Sequence, residues 1–540
     1  MSAAEPIKLP LKQSRAVQGS QELLKAHSAN ELVFAVVGHV GSGTSSIAKT
    51  LEVLLSRPNN AGRYEVTYLK ARDVIVEWGK NKGHLKESES LERRDIQHTI
   101  KLQDLGDEMR RSDPTAVARA LVDRIRRARA SMQGSGDPGQ DPVKPDRTPR
   151  AYIIDALRHP AEAHFLRSLY RNAFALIGVV CQEDTRQRRI VRKYKNAGDE
   201  YALEFMERDA KDTTKKYGQR VSDTFHLADF FIDNSEERNL SEAGRENESN
   251  PDWNVPDKLL RLVRIITHSE IERPTMAETA MHFAYGAQMR SACMSRQVGA
   301  ALVDSAGNVV ATGSNEVPKA GGGLYGPVFD DVAPGHDHRC AYNNKYCSNT
   351  REQTEIVEEL LKLMPESLDG EARKALQQKL RGSRIGGLLE FSRAVHAEMD
   401  ALLSAGRTGK STLGCRLFVT TFPCHYCARH IVGAGVDEVQ YIEPYPKSRA
   451  LKLHGDSITH SARAWTAPSN GGTRVLIRPF TGVAPRLYWR AFLKDRELKS
   501  EGNGNLQMGA PDWGTAWDIP AVSYVELEAK LLEESEVSRG

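Results

Sequence analysis

Short apolar runs alternate with longer amphipathic stretches over the first 235 residues of the chain. The runs are rich in Val, Ile, Leu and Phe and lie at 31–37, 64–69, 151–155, 174–180 and 228–234. Runs of this kind are typical of strands that are buried on both faces of a sheet. Because strands that alternate with helices form parallel sheets, residues 31–235 are predicted to be an α/β domain with a doubly wound parallel sheet.

The pattern changes after about residue 270. Helical periodicity at 276–292 leads into strands predicted at 297–303, 309–313, 416–421, 439–443 and 475–480. These elements predict a second α/β domain over residues 271–490. The remaining segments are polar and are predicted to be a flexible arm at 1–30, a linker at 236–270 and a tail at 491–540.

A glycine-rich turn lies between the first predicted strand and the helix that follows it. Its predicted phosphate-binding residues are Gly38, Gly41, Gly43, Thr44 and Ser45. Strand, glycine turn and helix together are the context of a P-loop, whose backbone N–H groups bind phosphate. Thr44 stands where the P-loop lysine is expected, whereas Ser45 keeps the Mg²⁺-ligand position. The turn therefore predicts nucleotide binding, with Mg²⁺ as a companion ion, rather than phosphoryl transfer. The alternative is a turn that only packs a helix on the sheet.

Two further features of the first domain favour a nucleotide site. The third strand ends in Asp155, like the strand that supplies a magnesium-binding carboxylate in P-loop proteins. Four arginines after the fourth strand are similar to the lid arginines of small P-loop nucleotide kinases: Arg186, Arg188, Arg189 and Arg192. The alternative for the arginines is a solvated helix face.

The second domain carries a pattern for metal binding and acid–base chemistry. His396 and Glu398 form H-x-E, and Pro423, Cys424 and Cys427 form P-C-x-x-C. This is the pattern of zinc deaminases that act on cytosine or adenine. One imidazole and two thiolates suit Zn²⁺ and leave a fourth position for water. Glu398 is predicted to be the catalytic proton shuttle and not a ligand. The alternative is a structural zinc knuckle beside an unrelated carboxylate.

Composition narrows the classes of function. A length of 540 residues suits two or three domains. A net charge of +4 and 7% aromatic residues do not predict a nucleic-acid groove, so no stable DNA binding is expected. Seven cysteines, two of them assigned to metal, indicate a reducing compartment. Because no apolar run approaches the ~18 residues of a membrane helix and the N-terminus lacks a signal core, we expect a cytoplasmic protein without membrane contact.

Residues from about 271 to 490 resemble the deoxycytidylate deaminase branch of the zinc cytidine deaminase family. The motifs that carry the likeness are Gln297-Val298-Gly299-Ala300, Gly313-Ser314-Asn315, His396-Ala397-Glu398 and Pro423-Cys424-His425-Tyr426-Cys427. The resemblance implies a cytidine-deaminase-like α/β/α fold. Joined to a P-loop kinase-like domain, it makes the chain similar to bacterial antiphage dCTP deaminases, two-domain proteins that deplete deoxycytidine nucleotides during infection.

The resemblance also implies substrate contacts. Asn315 and Glu316 fall where such enzymes hold the sugar, and an amide can both donate to and accept from a hydroxyl. For Asn315 the alternative is a turn-capping role. Because a triphosphate needs several cationic donors, Arg296, Lys319, Lys447 and Arg449 are candidates to bind it; the alternative for each is a surface role. Deoxycytidylate deaminases can carry a second, structural zinc, for which His336, His338, Cys340 and Cys347 are sufficient in number; the alternative is an ordinary loop over the pocket.

The expected activity is hydrolytic deamination of free deoxycytidine nucleotides, dCTP to dUTP and also dCMP to dUMP, as a defence against phage. The expected assembly is a homo-oligomer, and an effector nucleotide, a protein or an RNA is expected to restrain the enzyme before infection. The alternatives are a housekeeping dCMP deaminase that supplies dUMP, a nucleic-acid deaminase, and a nucleotide-sensing regulator with a structural zinc.

Overall fold

The structure is a computed structural model in which most of the chain is described. The described residues are 29–58, 63–86, 95–194, 198–210, 217–239, 248–326, 336–365, 370–445, 447–462, 464–493, 499 and 502–506. The predicted arm up to residue 28 and the predicted tail beyond 506 lie outside them. None of the helices within these ranges has the length and apolar content needed to cross a membrane.

The first half of the chain builds a sheet flanked by helices. Its elements are β1 (Glu31–Val37), α1 (Thr44–Ser56), β2 (Glu65–Lys70), α2 (Ala71–Asn81), α3 (Ile96–Ser112), α4 (Ala116–Met132), β3 (Arg150–Asp155), α5 (Pro160–Tyr170), β4 (Phe174–Val180), α6 (Glu183–Lys193), α7 (Asp199–Ala210), α8 (Val221–Phe225), β5 (Phe230–Asp233) and α9 (Val255–Thr267). These five strands run parallel in the order β2-β3-β1-β4-β5.

The central strand β1 shows why apolar runs predicted this sheet. Val33 and Ala35 lie in one buried cluster, and Phe34 and Val36 lie in a second cluster on the opposite face. Every residue of β1 is buried, so both faces of the strand must be apolar. The predicted parallel α/β sheet is confirmed, whereas its kinase-like character stays a prediction.

The second half of the chain builds another six-stranded sheet. Its elements are α10 (Met276–Gln288), β6 (Gly299–Val303), β7 (Val309–Ser314), α11 (Ser348–Lys362), α12 (Gly370–Gly382), α13 (Ala397–Arg407), β8 (Arg416–Thr421), α14 (His425–Gly433), β9 (Glu438–Glu443), α15 (Ala450–Leu453), β10 (Ile458–Thr459), β11 (Val475–Pro479), β12 (Gly482–Val483) and α16 (Pro485–Phe492). The sheet order is β7-β6-β8-β9-β11-β10, with β6 antiparallel to both neighbours and the other pairs parallel.

This second sheet is covered on both faces. Ala301 and Val303 of β6 share a buried cluster with α10, whereas Ala300 and Leu302 share another with α13 and α14. Alternate side chains of β6 therefore face two different layers of helices, one on each side of the sheet. The α/β/α arrangement that the resemblance implied is present.

The predicted linker at 236–270 is wrong for the stretch that forms α9. Val255, Leu259, Leu262 and Val263 are each 0% exposed and belong to the core of the first sheet. Seven of the 13 residues of α9 are Val, Leu or Ile and recur at helical spacing, but the polar stretch that precedes the helix led to a linker prediction that extended across it. Residues 240–247 of the predicted linker lie outside the described residues.

The two halves share structure and are not joined by a linker alone. β12 pairs antiparallel with β5, with Gly482 opposite Phe231, so the second half supplies an edge strand to the first sheet. Phe231 also contacts Phe480 edge to face, with 6.2 Å between ring centroids, inside a cluster that contains residues of both halves. A continuous apolar contact of this kind favours one rigid body.

Glu278 of α10 fixes this junction. Its side chain is 0% exposed and accepts hydrogen bonds from Arg261 of α9 at 2.7 Å and from the backbone N–H of Val483 at 2.7 Å. It also completes a capping box with Thr275 at the start of α10. One carboxylate thus connects α9, α10 and β12.

Candidate active site

Three predicted ligands converge at the carboxyl end of β8. Nδ1 of His396 lies 3.3 Å from Sγ of Cys424 and 3.4 Å from Sγ of Cys427. In a tetrahedral site with Zn–N of ~2.0 Å and Zn–S of ~2.3 Å, the N···S distances measure about 3.5 Å. Among the described residues this is the single group of three or more His, Cys, Asp or Glu side chains close enough to share an ion. Donor types and spacing both fit zinc.

Helix starts position these ligands. His396 is the N-cap of α13, and Cys424 is the N-cap of α14 with its Sγ accepting from the N–H of Cys427 at 3.4 Å. The positive end of a helix dipole stabilises a thiolate. A side chain at Gly313 of β7 would overlap the carbonyl of Ala397, so glycine lets α13 begin directly against the sheet.

Glu398 lies in the first turn of α13 and is 4% exposed. Burial raises the pKa of its carboxyl to about 7, and the neighbouring His396 opposes that rise. A carboxyl with a pKa near the working pH can accept a proton and return it. The burial and acidity of Glu398 are compatible with the predicted proton shuttle, which stays a prediction.

A cavity of about 320 Å³ opens above the ligands. Of the predicted residues, His396, Glu398, Cys424, Asn315 and Glu316 line it. A volume of this size is at the lower end of small-ligand pockets and suits one ring with its sugar. The arrangement can therefore hold a nucleobase beside the acid–base group.

The side chain of Asn315 is 7% exposed and is partly used by the protein itself. Its Oδ1 accepts from the N–H of Val298 at 2.6 Å, and its Nδ2 donates to the carbonyl of Arg296 at 2.7 Å. An amide has two donor hydrogens and two acceptor lone pairs, so one of each remains. The predicted sugar contact is compatible with this geometry and stays a prediction.

Glu316 has a similar double role. Its carboxylate accepts from the N–H of Ala292 at 2.7 Å and of Val317 at 2.9 Å. Its backbone pairs with Val395, next to the metal ligand His396. Glu316 thus fixes the cavity wall, and its predicted contact with substrate stays a prediction.

The predicted cations divide into two groups. Arg296 and Lys447 line the cavity, whereas Lys319 and Arg449 do not. Nη1 of Arg296 lies 3.3 Å from Oε2 of Glu443, at the end of β9. This ion pair holds a guanidinium at the cavity wall, where it can meet an anionic group of a ligand.

Part of the cavity wall was missed by sequence reasoning. The residues concerned are Ser348, Asn349, Leu389, Ser392 and Arg393. Asn349 of α11 donates to the carbonyl of Leu388 at 2.9 Å, which folds the segment after α12 back over the cavity. The hydrophobic pattern gave no signal, because the contact joins residues about forty positions apart by side chain to backbone.

The candidate second metal site is not assembled. Cys340 and Cys347 line the cavity, but no group of three metal-binding side chains among the described residues includes His336, His338 or either of these cysteines. The ring of His338 packs edge to face on Tyr325 instead. The alternative of a loop lying over the pocket agrees with this arrangement.

Comparisons with known proteins assign this region. The family model described as "Cytidine and deoxycytidylate deaminase zinc-binding region" matches residues 274–443, which include the three ligands and Glu398. This stretch is a deoxycytidylate deaminase family domain. We call residues 274–443 the deaminase domain below.

Individual relatives agree with that assignment. The deoxycytidylate deaminase of Enterobacteria phage T4 is 26% identical over 185 residues, covering 32% of this chain and 80% of that protein. The corresponding enzyme of phage T2 is also 26% identical and is covered to 82%. A probable deoxycytidylate deaminase of Drosophila melanogaster is 40% identical over 68 residues, which are 12% of this chain and 32% of that protein. The crystal structure of dCMP deaminase from cyanophage S-TIM5 in complex with dCMP and dUMP matches 39% of this chain and 99% of that one at 20% identity and a TM-score of 0.22, a value that supports no conclusion.

Outside the deaminase domain, the glycine turn lies between β1 and α1. Gly41 and Gly43 have φ of +84° and +85°, a conformation that favours glycine. Oγ of Ser45 donates to Oδ2 of Asp155 at 2.6 Å, so the two predicted magnesium ligands lie side by side. Gly38 and Thr44 occupy the two ends of the turn, as predicted from the sequence. The site's ligand stays a prediction.

Arginines and one carboxylate surround the turn. Arg158 donates to the carbonyl of Gly38 at 3.2 Å, and the backbone of Arg186 packs on Gly41. Asp209 of α7 pairs with Arg158 at 2.7 Å and accepts the N–H of Val40 at 2.7 Å. The backbone N–H of Val40, which is predicted to face a phosphate, is therefore hydrogen-bonded to the carboxylate of Asp209.

The predicted lid arginines differ in their contacts. Arg186 is near the turn, and burial lowers the pKa of its guanidinium. Arg189 pairs with Glu237 at 3.1 Å, and Arg192 is within 3.5 Å of the same carboxylate. Arg188 donates to Thr185 of its own helix. Arg186 and Arg189 are thus the members of this set that lie at the turn, Arg186 against Gly41 and Arg189 near Gly43.

Proposed function

We propose that this chain catalyses zinc-dependent hydrolytic deamination of free deoxycytidine nucleotides, dCTP to dUTP and dCMP to dUMP, with release of ammonia. The observation that carries the proposal is the buried Glu398, whose pKa is raised to about 7, beside a His/Cys/Cys ligand set on the floor of a cavity. A structural zinc knuckle needs neither an acid–base group nor a cavity.

The reaction follows from the position of Glu398. His396, Cys424 and Cys427 would hold zinc, which would supply a bound water acidic enough to react near neutral pH. Glu398 takes a proton from the water that attacks C4 of cytosine and passes it to N3. The C4–O bond forms and the C4–N bond breaks. The two protons of the water end on N3 and on ammonia.

Cations support a nucleotide as the substrate. Arg296, Arg393 and Lys447 line the cavity, and cationic donors bind phosphate strongly. The proposed biological role is depletion of dCTP during phage infection. A second candidate is housekeeping supply of dUMP, which the likeness to phage enzymes named deoxycytidylate deaminase favours.

The glycine turn is proposed to bind a regulatory nucleotide with Mg²⁺ between Ser45 and Asp155. The positive φ angles, the Ser45–Asp155 contact and the nearby arginines support binding. The lack of the P-loop lysine argues against phosphoryl transfer. An enzyme that consumes dCTP needs such control, and the proposed state is a homo-oligomer in the cytoplasm.

Ammonia release tests the chemistry. Purified protein is assayed with dCTP, dCMP, CTP, cytidine and single-stranded DNA, alongside Glu398→Gln and the exposed Glu355→Gln as a matched control. We expect turnover of dCTP and dCMP that Glu398→Gln abolishes while retaining zinc. Turnover of dCMP alone selects the housekeeping role. A wild-type protein that releases no ammonia from any substrate, or a fully active Glu398→Gln, contradicts the proposal.

Calorimetry with Mg²⁺-ATP tests the regulatory site. Ser45→Ala should weaken binding about tenfold, because the hydroxyl is the expected magnesium ligand. Its neighbour Ser46→Ala, which is also exposed, is the control. If wild type, Ser45→Ala and Ser46→Ala bind Mg²⁺-ATP with equal affinity, the assignment of Ser45 to the nucleotide site is wrong.

A further inference from the structure

Two series of contacts, one polar and one aromatic, connect a single residue of the glycine turn to strand β9 of the deaminase domain. That residue is His39, the second of the turn. Its Nε2 lies 3.0 Å from Oγ of Ser222, and its ring lies 5.8 Å from the ring of Phe225. Ser222 and Phe225 both belong to α8. Burial, Arg186 and Arg158 lower the pKa of His39 to about 3, so its ring is neutral at physiological pH.

The polar series continues from α8 to the cavity wall. Nδ1 of His226 lies 3.2 Å from the carbonyl of Ser222 and 4.0 Å from Oε1 of Glu443. The other oxygen of Glu443 accepts from Oγ1 of Thr421 at 3.0 Å and pairs with Arg296 at 3.3 Å. Thr421 and Arg296 line the cavity. The carboxylate of Glu443 therefore contacts the first half of the chain on one side and the deaminase cavity on the other.

The aromatic series reaches the same strand through the core. Ring centroids are 5.1 Å apart between Phe225 and Phe231, and 6.2 Å apart between Phe231 and Phe480. The N–H of Phe480 donates to the carbonyl of Tyr441 of β9 at 2.7 Å. β9 ends at Glu443, two residues further. Helix α8 is thus connected to β9 both by packed side chains and by polar contacts.

We propose that His39, His226 and Glu443 couple the glycine turn to the deaminase cavity, with Glu443 as the positioning residue that sets Arg296 against the phosphate of the substrate. We call these three residues the coupling set. A ligand that takes the N–H of Val40 from Asp209 acts on the residue next to His39. The resulting movement of α8 shifts the carboxylate of Glu443 and changes its ion pair with Arg296. This inference rests on the proposed nucleotide substrate and concerns its affinity, not the proton transfers at Glu398.

A double-mutant cycle tests the coupling without knowledge of the effector. Wild type, His39→Ala, Glu443→Gln and the double variant are compared by KM and kcat for dCMP, and by Kd for dCMP in calorimetry. We expect each single change to raise KM about two- to thirtyfold with kcat nearly unchanged. The double variant should resemble Glu443→Gln alone, because the effect of His39 reaches Arg296 through that carboxylate.

Two variants sharpen the test. His226→Gln should raise KM like His39→Ala. His98→Gln, whose Nδ1 lies 3.8 Å from Asp95 in a comparable surface pair, should leave KM unchanged. Independent, multiplying effects of His39→Ala and Glu443→Gln overturn the inference, and so does a fall in kcat without a change in KM. Absence of ammonia release by wild type refutes the proposed function instead, and the Kd cycle still decides the coupling.

Discussion

The carboxylate of Asp209 accepts a hydrogen bond from the backbone N–H of Val40 at 2.7 Å. Val40 belongs to the glycine turn, and Asp209 lies on α7 and is 1% exposed. The same carboxylate pairs with Arg158, which also donates to the turn. The carboxylate of Asp209 thus occupies the N–H of Val40 and pairs with Arg158, so the nucleotide proposed to bind at the turn would have to displace it.

Removal of this negative charge should tighten binding at the turn. Asp209→Asn is expected to raise the affinity for Mg²⁺-ATP about tenfold, roughly the contribution of one partly screened charge pair. Isothermal titration calorimetry measures it. Asp199→Asn, at the exposed start of the same helix, serves as the control and should bind like wild type. If Asp209→Asn binds more weakly at unchanged thermal stability, Asp209 does not compete with the nucleotide.

Loss of one metal ligand should remove zinc. Cys427→Ala is expected to purify with little zinc and to lose activity by at least about 10²-fold, because the reactive water depends on the metal. Metal content is measured by atomic emission. Cys415→Ser is the matched control, since Cys415 is equally buried in the same domain and lies outside the ligand group. A Cys427→Ala protein with full zinc content would exclude the assigned ligand set.

Glu278 should be a main determinant of the junction between the halves. Glu278→Gln is expected to lower the free energy of unfolding by about 2–3 kcal/mol, because it removes the charge of the fully buried partner of Arg261. Urea denaturation monitored by fluorescence measures the change. Glu272→Gln removes a more exposed partner of Arg261, 3.4 Å away, and should cost less than about 1 kcal/mol. If both variants lose a similar free energy of unfolding, the loss comes from weakening the ion pairs of Arg261 and not from Glu278 in particular.

Local chemistry made part of this molecule predictable. β1 and β4 are buried on both faces of their sheet, and a strand in that place must be apolar at every position. The ligand group was predictable because His396, Cys424 and Cys427 need fixed spacings and helix starts to meet one ion. These features depend on residues close in sequence or on chemistry that few residue types can provide.

Features that depend on distant contacts were not predictable in the same way. The linker prediction across α9 is wrong because a polar stretch precedes this short helix, and the core that buries its apolar face is formed by residues elsewhere in the chain. β12 is two residues long and shows no hydrophobic pattern, yet it pairs with β5. The cavity wall at Arg393 forms because the segment after α12 folds back over the cavity, and the periodicity of the sequence does not predict that contact.

The pairing of β12 with β5 has a consequence for any attempt to separate the halves. A protein truncated at residue 270 would leave the backbone of β5 open to other chains and would uncover the apolar groove that α16 fills. Open edge strands beside apolar surface promote aggregation. We therefore expect the first half of the chain, expressed alone, to aggregate, so that a change of gene content that separates the two halves would cost both of them.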